Sequence, residues 1–342
     1  MSPYTPTVLN CSRNMSTLGH RLPRLVLAAD WSANQNKRWM VRAEHDASDG
    51  YLVYPPEPVG EPASLIERLR GQISVHESLL IGFDFPIGLP AVYARQAGVT
   101  SFRSALSKFG SDPWGSFYNI SDFPSLRQPF SPRPTQKPGN YRAQLASALG
   151  CQDLSVMRRR CDLKTATRKA AECLFFTMGS AQVGAGAIVG WRDLIQPSLE
   201  DVKLWPFDGE LSTLLASPGV TIAEIYPAEA YSHLSVKIGA GTGRTKTLRA
   251  DRREAAKSWL IEFGAGQIRL SHAAESWIEW GFLAEDDFDA MAGLLSMLRI
   301  VTGQRSGTAP KTNDVLQIEG WILGQAFIDL HDQSCIGKDQ TV

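Results

Sequence analysis

Long hydrophobic runs are missing from this 342-residue chain; none reaches the ~18 apolar residues of a membrane-spanning helix. The first 24 residues lack the apolar core of a secretory signal and are polar, with proline, serine and threonine. Residues 1–24 are expected to be partly disordered, Met15 could be the actual start, and residues 331–342 would form a short tail. Cysteine is scarce: Cys11, Cys151, Cys161, Cys173 and Cys335 are odd in number and show no CxxC spacing. That argues against a disulfide framework and a structural zinc site, and a reducing cytoplasm is the expected compartment. Neither sign of charge is in excess, with 35 Lys and Arg against 35 Asp and Glu. No global field therefore advertises nucleic acid or a membrane. An HExxH pair is absent, and no histidine offers itself as partner to a serine nucleophile. The GxxxxGK[ST] phosphate loop is absent too. Gly239, Gly241 and Gly243 precede Arg244 and Lys246, but Arg244 stands where GxGxxG requires glycine.

What is present is a globular composition, 43% hydrophobic and 20% charged, in a chain long enough for one large domain or two ordinary ones. Leu25 to Ser32 reads LVLAADWS, an apolar run that ends on Asp30. It is too short for a typical helix and is bounded by polar residues, which points to a buried strand with a carboxylate at its C-terminal end. Ligands of open α/β sheets bind just outside such ends. The arrangement returns in LLIGFDFP with Asp84 and in VTIAEIYP with Glu224. Asp286 and Asp289, three apart, open a helical pattern.

Between these landmarks, Arg38 to His45 and Tyr51 to Tyr54 read as strands joined through Asp49-Gly50, antiparallel to the first. Leu65, Ile66, Leu69 and Ile73 recur at helical spacing. A helix between two strands of one sheet implies a right-handed crossover and parallel pairing. The expectation is a single α/β domain over residues 25–330. It would hold a mixed five-stranded sheet, three antiparallel strands then parallel ones, flanked by helices. Residues 91–219 would be a large helical and loop insertion. Within it, Phe109 to Asn140 reads as ordered loop, Asn140 to Phe176 as helix containing Arg158, Arg159 and Arg160, and Gly179 to Gly190 as a glycine-rich stretch. Trp114, Phe117, Tyr118 and Phe123 could stack bases, although packing within an aromatic loop is the more ordinary explanation. A basic helix is expected from about Lys246 to Phe263. On the helix near Glu285, Met291, Leu294, Leu295 and Leu298 would face the core, and Gly293 would permit close packing.

Strand-end acids that converge suggest a site for Mg²⁺ or Mn²⁺. Magnesium takes oxygen ligands, usually one or two carboxylates plus phosphate oxygens. Two such ions ~3.5–4 Å apart clamp the attacking water and the leaving oxygen in phosphodiester cleavage. Asp30 and Asp84 would end neighbouring strands, and Asp286 and Asp289 share one helix face. The helix pair has a competing explanation, since acids in a first turn complement the helix dipole. Asp30, the natural centre, is the expected bridging ligand. Glu224 is a further ligand, an acid orienting a base such as Lys246, or the partner of an arginine; Glu229 competes with it. Lys246, Arg249, Arg252 and Arg253 could hold substrate phosphates, as could Arg158 and Arg159; solvated faces are the alternative.

The same blocks carry a family likeness. They are Ala29-Asp30-Trp31-Ser32 with the strand at Trp39, the run Phe83-Asp84-Phe85-Pro86-Ile87-Gly88-Leu89-Pro90, and Gln182-Val183-Gly184 followed by Gly190-Trp191. Glu224-Ile225-Tyr226-Pro227 with Glu229, Lys246 with Arg249, Asp286-Asp287-Phe288-Asp289-Ala290 and Glu319-Gly320-Trp321-Ile322 extend it. On these residues the chain resembles the bacterial and archaeal family called domain of unknown function 429, predicted RNase H-like nucleases. The resemblance implies a resolvase-type sheet with metal ligands at Asp30, Asp84, Asp286 and Asp289, and with Glu224 beside them. It implies that the turn and basic helix after Glu224, with Lys246, are laid out as in Holliday-junction resolvases. The expected activity is two-metal cleavage of DNA or RNA that leaves 5′-phosphate and 3′-hydroxyl ends. Two alternatives stay open. One is an ATP-handling enzyme of the actin/hexokinase-like fold, although only one strand module is found. The other is a non-catalytic nucleic-acid-binding or assembly subunit.

Overall fold

A computed structural model describes residues 22–131, 141–177, 183–239 and 241–327. The expectations for residues 1–21, for part of the aromatic loop and for the tail at 331–342 lie outside the described residues. The chain opens with an antiparallel meander of β1 (Leu25–Asp30), β2 (Trp39–Asp46) and β3 (Gly50–Val53), and β4 (Glu57–Pro58) adds a brief pairing on β2. Helix α1 (Pro62–Arg70) returns the chain to β5 (Ser78–Phe83), which runs parallel to β1. The insertion contributes α2 (Ala91–Ala97), α3 (Phe102–Leu106), α4 (Tyr141–Ala148), α5 (Val183–Val189), β6 (Val202–Leu204) and α6 (Leu211–Ala216). Strand β7 (Gly219–Glu224) then lies parallel to both β5 and β6. Helices α7 (Pro227–His233) and α8 (Arg249–Glu262), strand β8 (Ile268–Leu270), and helices α9 (His272–Trp280) and α10 (Glu285–Val301) follow.

The molecule is thus α/β, with a mixed eight-stranded sheet flanked by helices and ordered β6-β7-β5-β1-β2-β3-β8. The five expected strands are β1, β2, β3, β5 and β7. The other three have two or three residues each, too few for an alternating pattern to register in the sequence. One of them, β6, comes from the insertion itself.

The insertion differs from expectation in one place. The segment from Asn140 to Phe176 is not one helix. Helix α4 ends at Ala148, and only 3-10 turns follow, at Leu154–Met157 and Arg160–Asp162. Gly150, in the left-handed conformation, closes α4, and Arg159 in the turns beyond is drawn into buried ion pairs. The glycine-rich stretch contains a helix, Val183–Val189, which continues as a π-helical turn, Gly190–Ile195. Its glycine content serves contact: a Cβ on Gly190 would lie 2.4 Å from the Phe85 ring. The aromatic loop packs inward. Phe109 and Phe117 stack at 3.6 Å, and Trp114 and Tyr118 are buried beside them, so none of these three candidates offers a face to a base. Phe123 remains exposed.

Strand β1 is buried throughout and serves two cores. Leu25, Leu27 and Ala29 face α1 and the insertion, whereas Val26 and Ala28 face α10. This is the period of two that a strand imposes, applied to a strand covered on both sides. Helix α10 is apolar nearly all round, as befits a helix enclosed by its neighbours. Gly293 seats it on the sheet: a Cβ there would lie 2.8 Å from Ile225 Cδ1 and 3.3 Å from Ala28 Cβ. Asp289 lies one turn before Gly293 on the same helix face, so this close approach brings its carboxylate over the end of β1. No described helix is long and apolar enough to cross a membrane.

Candidate active site

Parallel pairing of β1 with β5 sets Ala29 beside Phe83, so the next residues, Asp30 and Asp84, leave the sheet side by side. Their carboxyls are within hydrogen-bonding reach of each other; Asp30 is buried and Asp84 half-buried. The Trp31 backbone N–H donates to Asp84 Oδ1 at 2.6 Å and fixes that carboxyl. From α10, Asp289 faces the same cleft. Lys246 Nζ donates to its Oδ2 at 2.6 Å, and the Tyr231 hydroxyl donates to its Oδ1. Glu285 lies 3.6 Å from the same ammonium. Asp286 is half-buried at the rim. Between Asp286 and Asp289, Asp287 caps the helix by accepting the N–H groups of Leu283 and Ala284. The four acids, Lys246 and Tyr231 line one cleft of about 750 Å³.

Burial dominates the electrostatics. It holds Asp30 well above the usual carboxylate range, and the charges of Asp84, Asp289 and Asp286 raise it further. Burial pushes Asp84 up to about 7 against the opposing Trp31 N–H. Asp289 is raised by burial despite Lys246 and Tyr231, and Asp286 is raised by burial to a lesser degree of enclosure. Lys246 is partly buried, which works against its charge, but the attraction of Asp289 wins and keeps it an ammonium. Two carboxyls so close cannot both ionise cheaply, and the pair holds on to a proton.

The donor set is made of hard carboxylate oxygens, the ligands that magnesium and manganese prefer. Among the described residues the Lys246 ammonium is paired with Asp289, and burial together with repulsion among the acids raises Asp30 and Asp84; a divalent ion would bring the positive charge that such a cluster favours. The residues therefore fit such an ion. They form an open cleft rather than a tight cage. Among the described residues, the one trio of metal-ligating side chains drawn within 4.8 Å is Cys161, Asp162 and Glu224.

That trio is already filled by an arginine. Arg159 donates to Asp162 through Nε (3.0 Å) and Nη2 (2.8 Å), and to Glu224 through Nη1 and Nη2 (both 2.6 Å); Nη1 also reaches the Glu319 carbonyl. All five N–H donors of the guanidinium are used, and the side chain is fully buried. Arg159 is therefore not a phosphate ligand. Glu224, which also accepts the Ile87 N–H at 2.7 Å, is the partner of an arginine rather than a ligand or an orienter of Lys246. Register explains the difference. Glu224 pairs with Phe83, one residue short of Asp84, and alternation points its side chain to the insertion side of the sheet, where with Arg159 and Asp162 it lines another wall of the same cleft.

The remaining basic candidates divide. Arg252 is buried and donates to the carbonyls of Lys246 and Gly281, so it ties two turns together instead of meeting substrate. Arg158 is half-buried and donates to the Ala171 carbonyl. Arg249 and Arg253 stand exposed on the first turns of α8. Glu229 is committed to Arg168 at 3.0 Å and to His233 at 3.3 Å. Compared with protein-family models, with curated proteins and with solved structures, the chain matches none. Tyr231 was missed by sequence reasoning. Its available signal was position: α7 starts at the ligand-binding end of β7, and Tyr231 lies one turn past Pro227.

Proposed function

We propose that the protein is a Mg²⁺- or Mn²⁺-dependent nuclease that hydrolyses phosphodiester bonds of DNA or RNA. The observation that carries this reading is the Asp30–Asp84 pair, at the ends of adjacent parallel strands, with Asp289 of α10 facing it across one cleft. The antiparallel β1–β2–β3 unit followed by parallel β5 and β7 is the sheet expected of an RNase H-like fold, and it supports the same reading. So does the resemblance to the family called domain of unknown function 429.

Asp30, Asp84, Asp289 and Asp286 would hold the ions, with Asp30 between the strand and helix acids. Bound there, two ions supply positive charge for the attacking water and for the departing 3′-oxygen. The protein's own part is positioning. Trp31 N–H orients Asp84, and the Tyr231 hydroxyl orients Asp289. Lys246 presents an ammonium at the mouth of the cleft, where a phosphate would meet it. Partial enclosure of the acids lowers the local dielectric and strengthens each charge interaction.

The test is cleavage of single-stranded, duplex and branched DNA and RNA with Mg²⁺ or Mn²⁺. Asp30→Asn and Asp289→Asn should each lower the rate by about two orders of magnitude or more, while circular dichroism shows a folded protein. Cutting at wild-type rate by both variants overturns the assignment.

A further inference from the structure

Beside the acid cleft lies a surface with no part in holding metal. Trp280, the last residue of α9, is 50% exposed; Leu248, which precedes Arg249, and Leu283, three residues past Trp280, are 57% and 46% exposed. The Arg249 guanidinium lies over the Trp280 ring, 3.9 Å from its centroid. Arg253 is one turn along α8 and shares that face. The seat is close: a Cβ on Gly281 would lie 2.9 Å from both Arg249 Cγ and Arg253 Cβ. The end of α9 therefore rests directly on these two arginines. Arg252 joins this seat to the active site, because it binds the Gly281 carbonyl on one side and the Lys246 carbonyl on the other. Three residues past Leu283 comes Asp286. Three of the nearby acids are engaged elsewhere: Asp251 accepts the Thr245 N–H, Glu254 pairs with Arg244, and Glu285 faces Lys246; Glu279, beside Trp280, is exposed.

We propose, resting on the nuclease reading, that this surface grips single-stranded nucleic acid. An unpaired base would stack on the Arg249–Trp280 pair, with Leu248 and Leu283 as apolar shoulders. Arg253 would take the flanking phosphate. The linkage through Arg252 then holds a neighbouring phosphodiester against the acids. A flat cation laid on an exposed indole, next to a second cation and a carboxylate cleft, matches the chemistry of one strand: a π-face, a phosphate, then the scissile bond. A duplex keeps its base faces in its own stack and gains only the phosphate contacts, so the preference for a single strand follows from the geometry.

The test is binding of fluorescein-labelled oligothymidylate and oligouridylate, and of a duplex of equal length, to the full chain in EDTA. A parallel arm follows cleavage with Mn²⁺. Arg249→Ala and Trp280→Ala should each weaken single-strand binding on the order of tenfold or more, and Trp280→Phe should retain most of it. Duplex binding should change much less. The platform is overturned if the alanine variants bind single strands as wild type does, or lose single strands and duplex equally. Wild-type cleavage with unchanged behaviour of these variants removes the platform and leaves the nuclease standing. Neither binding nor cleavage of any nucleic acid by the wild type removes both.

Discussion

A carboxyl that folding makes harder to ionise links the active site to stability. Asp84 is held at about 7, and Asp30 is also raised, mainly by burial. An unfolded aspartate titrates near about 4, so the folded state binds these protons more tightly. The stabilisation this brings is complete below pH ~4 and is lost as pH rises through the folded value. Metal-free protein should therefore melt at progressively lower temperature between about pH 4 and pH 7. Mg²⁺ or Mn²⁺, which binds the ionised pair, should restore more stability the higher the pH. Asp84→Asn should flatten the metal-free profile, raise the melting temperature at pH 8 by about 2–4 °C, and abolish the metal effect. A variant that melts lower at every pH, with its slope intact, refutes this account. Asp30 and Asp84 were legible in the sequence because each ends an apolar run. Glu224 looked equivalent and was not. Setting Pro86 against Pro227 puts Ile225, not Glu224, beside Asp84, but that offset means something only once β5 and β7 are known to pair.

At the scale of elements, the insertion is pinned to the sheet by charge. Arg159, from the 3-10 turns after α4, meets Glu224 at the end of β7 and Asp162 beside it, all buried. Removing one member of a buried ion pair leaves the others uncompensated and commonly costs about 3–5 kcal/mol. Arg159→Ala or Glu224→Ala should lower the unfolding free energy in urea by that order; a loss below about 1 kcal/mol would mean that water relieves the stranded charge. In the sequence Arg158 and Arg159 read as candidate phosphate ligands, with a solvated face as the alternative. Nothing local signals that acids at 162 and 224 converge on Arg159. Helix α10 is the opposite case. Its apolar run, its small Gly293 and its acids were all visible, because the information that makes it lies within its own span.

At the scale of the molecule, one strand belongs to two cores. Leu27 is on the α1 side of β1, and Val26 and Ala28 are on the α10 side, where Leu294 packs. Neither core can dissolve without exposing the strand that lines the other, so the fold should unfold as one unit. Leu27→Ala and Leu294→Ala should each cost about 2–5 kcal/mol and should shift the same single transition, followed by tryptophan fluorescence and circular dichroism together. Two separate transitions, or a substitution that moves only one probe, would show independent units. The two-faced sheet was readable from the unbroken apolar character of β1. The partner of each face was not, because covering elements are chosen by contacts distant in sequence.

That arrangement also sets an order in time. Strand β1 leaves the ribosome well before α10, the helix that covers Val26 and Ala28. At elongation rates of about 5–20 residues per second, the strand waits on the order of tens of seconds for its cover. Asp30 cannot meet Asp289 during that interval. A growing or truncated chain that stops short of α10 carries only the strand-borne half of the acid cluster. Vectorial synthesis thus withholds the complete set of carboxylates until the protein that encloses them has formed.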